Sequence, residues 1–151
     1  KIAPAGIPLQ KLIVDYCGGM QDGHILKAFF PGGASGGILP ANLASLPLDF
    51  GIFEEYGGFI GSHAIVILSD QDNIKEAALN TMRFFKHESC GQCTPCRSGT
   101  DKMISLLEDN NKELDLYNAL IKVMSDSSIC GLGQAASNCV SHLIKYFPEE
   151  F

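Results

Sequence analysis

The sequence lacks tryptophan, is poor in basic residues and contains no long hydrophobic run. Among its 151 residues, Lys and Arg number 11 against 17 Asp and Glu, which gives a formal net charge of −6 at pH 7. A surface of this sign repels a phosphate backbone, so nucleic acid is not expected as a partner. The longest strongly apolar stretch, residues 64–68, falls far short of the roughly 20 residues that cross a bilayer. We therefore expect no membrane-spanning segment.

The amino terminus carries neither an initiator methionine nor the charged-then-apolar pattern of a secretory signal. We expect the chain to be a piece of a longer protein that is located in the cytoplasm, or at the membrane periphery within a larger complex. In a reducing compartment, its six cysteines are more often metal ligands or buried thiols than disulfides. The 46% of hydrophobic and 19% of charged residues are typical of a folded chain with one domain or two small ones.

Residues 1–70 are rich in Gly and Pro and contain short apolar runs, which predicts a small mixed unit of strands and turns. Apolar residues at helical spacing over residues 9–16, followed by two glycines, predict one short amphipathic helix. Strands are predicted over residues 25–30 and 64–68. The Gly-rich stretch 31–37 predicts a flexible loop. It lacks the Lys-Ser/Thr ending of a P-loop and the Gly-x-Gly-x-x-Gly spacing, so we favour a structural turn over nucleotide binding.

From residue 71 onward the apolar spacing changes to the period of an α-helix. Four stripes predict a bundle of four short helices, the first capped by Asp72 and the last ended by Pro148. The stripes run over residues 74–85, 96–107, 117–124 and 136–147. We therefore predict an α+β chain with domains at residues 1–70 and 71–151.

Three cysteines, Cys90, Cys93 and Cys96, are spaced three positions apart in one predicted connection. A zinc ion usually takes two separated Cys-x-x-Cys pairs, whereas three ligands on one loop favour a 4Fe–4S cluster, in which each thiolate binds a different iron. Cys130 is the best candidate for the fourth ligand because it also precedes a predicted helix. An up-down-up-down bundle would bring both loops to the same end. A structural zinc domain and a metal-free interaction module remain alternatives.

A cluster held by four thiolates is negatively charged and needs compensation. Helices starting at about Pro95 and Gln134 would direct N-terminal amides toward it, and glycines at positions 91, 99, 131 and 133 would allow close backbone approach. Arg97 either offsets this charge or is a solvated surface residue.

The remaining cysteines, Cys17 and Cys139, fall on apolar stripes and are expected to be buried thiols. His87 is expected to be a neighbour of the site or a surface residue. No Ser-His-Asp arrangement or pair of carboxylates at catalytic spacing is evident.

Two motifs contain the four cysteines: Glu88-Ser89-Cys90-Gly91-x-Cys93-x-Pro95-Cys96-Arg97-x-Gly99 and Ser128-Ile129-Cys130-Gly131-Leu132-Gly133. They resemble those of the NADH-binding flavoprotein subunit of respiratory complex I and its soluble relatives. The soluble relatives include the diaphorase subunits of NAD-linked hydrogenases and the beta subunit of NAD-dependent formate dehydrogenase. Segments 31–40, 47–50 and 59–62 are most similar to the formate dehydrogenase branch, and Gly-Leu-Gly-Gln at 131–134 resembles the soluble relatives more than complex I.

The resemblance implies a partial ubiquitin-like β-grasp domain of the SLBB type, followed by a four-helix bundle that carries the 4Fe–4S cluster. Its ligands would be Cys90, Cys93, Cys96 and Cys130. Gly131 and Leu132 would face an FMN. The implied function is the exchange of single electrons with this FMN and with Fe–S centres of partner subunits in an NAD(H)-linked oxidoreductase. The family's own N-terminal flavin domain, which binds FMN and NAD(H), is missing from these residues. The chain is therefore expected to be a C-terminal fragment that is not catalytic by itself.

Overall fold

The computed structural model describes residues 2–151, which form two compact units. The sheet unit ends at Asn73, and the helical unit spans Ile74–Phe151. The first contains a three-stranded antiparallel sheet and the second contains five α-helices, so the chain is α+β as predicted. Within residues 2–151, no helix combines the length and the apolar character needed to span a membrane.

The predicted helix of the sheet unit is present in two parts. It begins as helix α1, Leu9–Lys11, and widens into a π-helical segment, Leu12–Tyr16. Gly18 and Gly19 then adopt φ angles of 88° and 92°, a left-handed conformation that favours glycine, and the Gly19 amide donates to the carbonyl of Ile13 at 2.9 Å. The paired glycines therefore end the helix, as the sequence predicts.

The sheet has the strand order β2–β1–β3, with β1 at Leu26–Phe30, β2 at Leu39–Pro40 and β3 at Val66–Ser69. Phe29 lies opposite Leu39 in β2 and Ile67 in β3, and its ring packs edge-on against Phe53 at 6.0 Å between centroids. The sequence predicts β1 and β3 within two residues. It misses β2, because two residues ending in proline carry no periodic signal.

The Gly-rich segment 31–37 is packed, so its prediction as a flexible loop is wrong. It contains a 3₁₀ turn, Ala34–Gly36, and the carbonyl of Gly32 accepts hydrogen bonds from the amides of Gly61 and Ser62 at 3.1 and 2.8 Å. A β-carbon on Gly36 would lie 2.3 Å from the carbonyl oxygen of Phe59. The glycines allow two backbone segments to touch, which agrees with a structural turn.

The helical unit is built from helices joined by short connections. They are α2 at Ile74–Glu88, α3 at Thr94–Glu108, α4 at Leu114–Ser127, α5 at Gly131–Ala135 and α6 at Asn138–Tyr146. Helix α2 packs against α3 and α6, and α3 and α5 both pack against α4. The four predicted stripes correspond to α2, α3, α4 and α6. The sequence does not predict α5, since one helical turn is too short for a periodic pattern.

The first turn of α2 is capped from the far end of the unit. Asp72 does not cap it as predicted, because its Oδ2 accepts hydrogen bonds from the Ser69 amide at 2.6 Å and the Ser69 hydroxyl at 2.9 Å. The amide of Ile74 instead donates to Oε2 of Glu150 at 2.7 Å. A carboxylate at this place satisfies an otherwise unpaired helical amide and interacts favourably with the helix dipole.

Candidate metal centre

Four cysteines from two connections line one cavity of about 120 Å³ in the helical unit. Cys90 and Cys93 lie between α2 and α3, Cys96 lies in the first turn of α3, and Cys130 directly precedes α5. The other residues of the wall are Glu88, Ser89, Gln92 and Leu132. The structure thus brings together the four predicted ligand candidates, which are separated by up to 40 positions in the sequence.

Cys93 and Cys130 occupy the same position in their respective helices. Each is the N-cap residue with extended backbone, and each carbonyl accepts the first helical hydrogen bond, from Arg97 at 3.0 Å and from Gln134 at 3.2 Å. Helix α3 begins at Thr94, close to the predicted start, and α5 begins at Gly131, earlier than predicted. Both cysteines therefore lie at a helix N-terminus, where the first backbone amides have no hydrogen-bond partner within the helix.

The Cys93 sulfur is stabilised by amides from both loops. The amide of Ile129 makes the largest contribution that lowers the pKa of the Cys93 thiol below its usual value, and the amide of Cys96 adds to it. Ile129 belongs to the connection before α5, so this interaction joins the two loops. A lower pKa favours the thiolate, which is the form that binds metal ions.

Ser89 and Arg97 brace the first cysteine loop. The Ser89 hydroxyl accepts a hydrogen bond from the Gly91 amide at 3.2 Å and lies 3.3 Å from the sulfur of Cys96. The Arg97 guanidinium donates to the carbonyl of Gly91 at 2.5 Å and to the Thr94 hydroxyl at 3.3 Å. Gly91 itself has a φ of 73°, a conformation in which glycine is favoured. Arg97 therefore holds the loop, beyond the two roles that the sequence suggested for it.

The second loop contacts Cys96 through a glycine. A β-carbon on Gly133 would lie 2.5 Å from the Ser128 hydroxyl oxygen and 2.8 Å from the β-carbon of Cys96. By contrast, Gly131 and Gly91 have open space around them, so close approach is needed at Gly133 and not at these two positions. Gly99 also permits close contact, but against Met124.

Ser128 is 5% exposed, and its hydroxyl makes no hydrogen bond with any residue in the described range. The Ser128 hydroxyl makes a small contribution to lowering the pKa of the Cys93 thiol, although the two groups do not form a hydrogen bond. A buried hydroxyl without a partner costs about 1–3 kcal/mol. A hydrogen-bond acceptor within reach of this hydroxyl would remove this cost.

The donor set fits a multinuclear centre better than a single ion. Within residues 2–151, no three His, Cys, Asp or Glu side chains are arranged to hold one metal ion. A mononuclear zinc site usually takes two separated Cys-x-x-Cys pairs, whereas three cysteines on one connection and a fourth on another suit a 4Fe–4S cluster, in which each thiolate binds a different iron. Four cysteines around one cavity, with a buried hydroxyl beside them, fit the cluster.

The remaining candidate residues lie apart from these ligands or stay predictions. Cys139 is fully buried, and burial raises the pKa of its thiol to about 12, but the predicted burial of Cys17 is wrong because this residue is exposed. Cys17 follows the last residue of the π-helical segment, where the amphipathic stripe no longer faces the core.

His87 is exposed and pairs with Glu88 at 2.9 Å. Leu132 lines the cavity, and its suggested contact with FMN remains a prediction.

Sequence reasoning missed Ser89 and Ser128 as members of the site. A signal was present, because Ser89 directly precedes Cys90 and Ser128 lies two positions before Cys130. Hydroxyl residues next to metal-binding cysteines are natural hydrogen-bond donors to sulfur.

Comparison with known proteins assigns the helical unit to a class. Residues 76–151 match the family model of the NADH-ubiquinone oxidoreductase-F iron-sulfur binding region. The chain belongs to this family, which confirms the resemblance that the two cysteine motifs indicated.

Individual relatives extend the similarity over almost the whole chain. The chain is 38% identical over 152 residues to the F-type subunit of the NADH-quinone oxidoreductase of Rickettsia typhi, covering 96% of this chain and 36% of that protein. It is 37% identical over 159 residues to the corresponding protein of Mycobacterium tuberculosis strain H37Rv, covering 99% of this chain and 35% of that protein. The chain therefore spans about a third of the length of these relatives.

Solved structures give the same result for the fold. The H₂-reduced NAD⁺-reducing [NiFe]-hydrogenase contains a chain that matches 98% of this one with a TM-score of 0.83 and 27% identity. The match covers 26% of the hydrogenase chain. The helical unit thus belongs to the family of the NADH-ubiquinone oxidoreductase-F iron-sulfur binding region.

Proposed function

We propose that Cys90, Cys93, Cys96 and Cys130 hold a 4Fe–4S cluster and that the chain is the electron-transfer module of an NAD(H)-linked flavoprotein oxidoreductase. The observation that carries this proposal is the convergence of these cysteines on one cavity. A cluster bound there would accept and release one electron at a time.

The chain's own residues prepare the site for this group. The Ile129 and Cys96 amides stabilise the Cys93 thiolate, and Arg97 fixes the loop that carries Cys90 and Cys93. Leu132 contributes an apolar side chain to the wall of the cavity.

The rest of the proposal concerns a longer protein. The electron partners would be an FMN, faced by Gly131 and Leu132 and bound with NAD(H) in that protein's own N-terminal flavin domain, and Fe–S centres of partner subunits. The sheet unit would be part of a β-grasp domain and the helical unit a four-helix bundle. The longer protein would act in the cytoplasm, and the present residues alone would not oxidise NADH.

The first experiment measures iron, acid-labile sulfide and zinc in the anaerobically purified chain, with visible spectra before and after dithionite. We expect about four iron and about four sulfide per chain, and a broad visible band that bleaches on reduction. The absence of tryptophan keeps the aromatic absorbance low. About one zinc without sulfide would refute the proposal and support a structural zinc domain instead.

A pair of cysteine variants tests the ligand set. Cys93→Ser should abolish cluster incorporation because it removes a thiolate from the cavity. Cys139→Ala is the matched control and should load normally, since this thiol is fully buried on α6 and does not line the cavity. Loss of iron in Cys139→Ala, or full loading of Cys93→Ser, would contradict the ligand assignment.

Within the family we propose the formate dehydrogenase branch, on the basis of segments 31–40, 47–50 and 59–62. The native complex, isolated through an affinity tag on this protein, should reduce NAD⁺ with formate. Reduction of NAD⁺ with hydrogen, or NADH oxidation coupled only to a quinone, would instead assign it to the hydrogenase or quinone reductase relatives.

A further inference from the structure

We infer that the Ser89 and Ser128 hydroxyls donate hydrogen bonds to cysteine sulfurs around the cavity and thereby raise the reduction potential of the bound cluster. The inference rests on the proposed function, because it concerns residues that surround the proposed ligands.

Ser89 is oriented for donation by its own loop. A serine hydroxyl has one hydrogen to donate and two lone pairs to accept with. The Gly91 amide donates to this oxygen at 3.2 Å, and the Cys96 sulfur lies 3.3 Å away on a residue that is only 5% exposed. Once Cys96 is a metal-bound thiolate it can only accept, so the hydrogen of Ser89 must point to sulfur.

Ser128 approaches from the other loop. Its hydroxyl is buried without a hydrogen-bond partner in the described part of the chain. Gly133 leaves the space in which the side chains of Ser128 and Cys96 meet, because a β-carbon there would lie within 2.8 Å of both. The hydroxyl of Ser128 therefore lies beside the side chain of Cys96, and its effect on the pKa of the Cys93 thiol indicates that Cys93 is a neighbour as well.

Hydrogen bonds to ligand sulfur favour the reduced state of a cluster. Reduction adds negative charge, part of which resides on the sulfurs, so a donor stabilises the reduced form more than the oxidised form. Removing the hydroxyl should therefore lower the midpoint potential without removing a ligand. Ser89 and Ser128 are positioning residues in this sense, and neither binds iron.

The test compares Ser89→Ala and Ser128→Ala with Ser105→Ala in the anaerobically purified chain. Ser105 is a matched control, since it lies on the same helix as Cys96 but its hydroxyl bonds Asp109 at 3.2 Å and does not line the cavity. The readout is a redox titration followed by electron paramagnetic resonance.

Ser89→Ala and Ser128→Ala should each decrease the ratio of reduced to oxidised cluster at the wild-type midpoint by about three- to tenfold, or about 30–60 mV for a one-electron couple. Ser105→Ala should not change the potential, and Ser89→Thr, which keeps the hydroxyl, should retain the wild-type value. Deuterium exchange provides a readout on the wild-type protein. Exchangeable protons coupled to the reduced cluster should be visible by electron–nuclear double resonance, and Ser89→Ala should remove one of these couplings while those of the Ile129 and Cys96 amides remain.

The outcomes separate this inference from the proposed function. A normally loaded cluster whose potential is the same in Ser89→Ala, Ser128→Ala and Ser105→Ala would refute the serine assignment and leave the ligand set intact. The absence of exchangeable protons near the wild-type cluster would refute it as well, even if a variant failed to load. A chain with zinc and without sulfide would overturn both proposals.

Discussion

Replacing Gly133 by alanine should destabilise the helical unit at the junction of its two cysteine loops. The added β-carbon would lie 2.5 Å from the Ser128 hydroxyl oxygen, 2.7 Å from the Ser128 β-carbon and 2.8 Å from the Cys96 β-carbon. Real β-carbons do not approach other atoms this closely, so the loop carrying Ser128 or the first turn of α3 has to move.

Two opposing effects determine the size of this change. Alanine is favoured over glycine by about 1 kcal/mol inside a helix, whereas overpacking a close contact costs about 1–3 kcal/mol and displaces backbone. We expect the contact to dominate, because two of the three atoms are β-carbons tied to backbone and cannot rotate away. The free energy of unfolding should fall by roughly 1–2 kcal/mol, or about 1 M in the urea midpoint at a typical slope.

Gly131 supplies the matched control, because it lies in the same helix and a β-carbon at this position would have no atom within 4 Å. Gly131→Ala should leave stability unchanged or raise it by up to about 1 kcal/mol. Both variants are compared by urea unfolding of the reduced, metal-free chain, followed by far-ultraviolet circular dichroism. Equal midpoints for the two variants would refute the close contact at Gly133. Restoration by a second change, Ser128→Gly, would identify that contact as the cause.

Two further predictions concern features away from the cavity. Glu150→Ala should lower the free energy of unfolding by about 0.5–2 kcal/mol, because it removes the cap of the Ile74 amide. The neighbouring change Glu149→Ala should have little effect in the same urea experiment, and equal losses would argue against the cap. Burial raises the pKa of Tyr117 from 10.0 to about 12, so its contribution to stability is full below pH 10 and is lost as the pH rises toward 12. In an absorbance titration one of the four tyrosines should ionise last, and Tyr117→Phe should remove that step; an unchanged titration curve would contradict this assignment.

The sequence predicts the features of this chain that depend on local spacing. The stripes that begin at Ile74, Cys96 and Tyr117 correspond to α2, α3 and α4, because an apolar face repeats over several turns in each. The spacing of Cys90, Cys93 and Cys96 predicts their common location in the same way. The prediction that Cys130 lies beside them rested on the expected up-down-up-down order of the helices, and Cys130 lines the same cavity as the other three cysteines.

The features that the sequence does not predict depend on contacts between distant residues. The cap of Ile74 comes from a carboxylate 76 positions away, so the nearer Asp72 is the natural but wrong choice. Ser128 and Cys96 become neighbours only through the small size of Gly133. Cys17 was expected to be buried because it follows the apolar stripe of the helix. It is exposed, since the helix ends there and the chain changes direction at Gly18 and Gly19.

The hydrogen bond from the Ile74 amide to Oε2 of Glu150, at 2.7 Å, brings the first and last residues of the helical unit next to each other. A short linker could therefore join residue 151 to residue 74, and new termini could be opened in the connection 109–113 between α3 and α4. Both cysteine loops would remain uncut in such a circular permutant. The order in which the two loops are synthesised would be reversed, so the permutant would show whether metal loading depends on the sequence of synthesis or only on the finished fold.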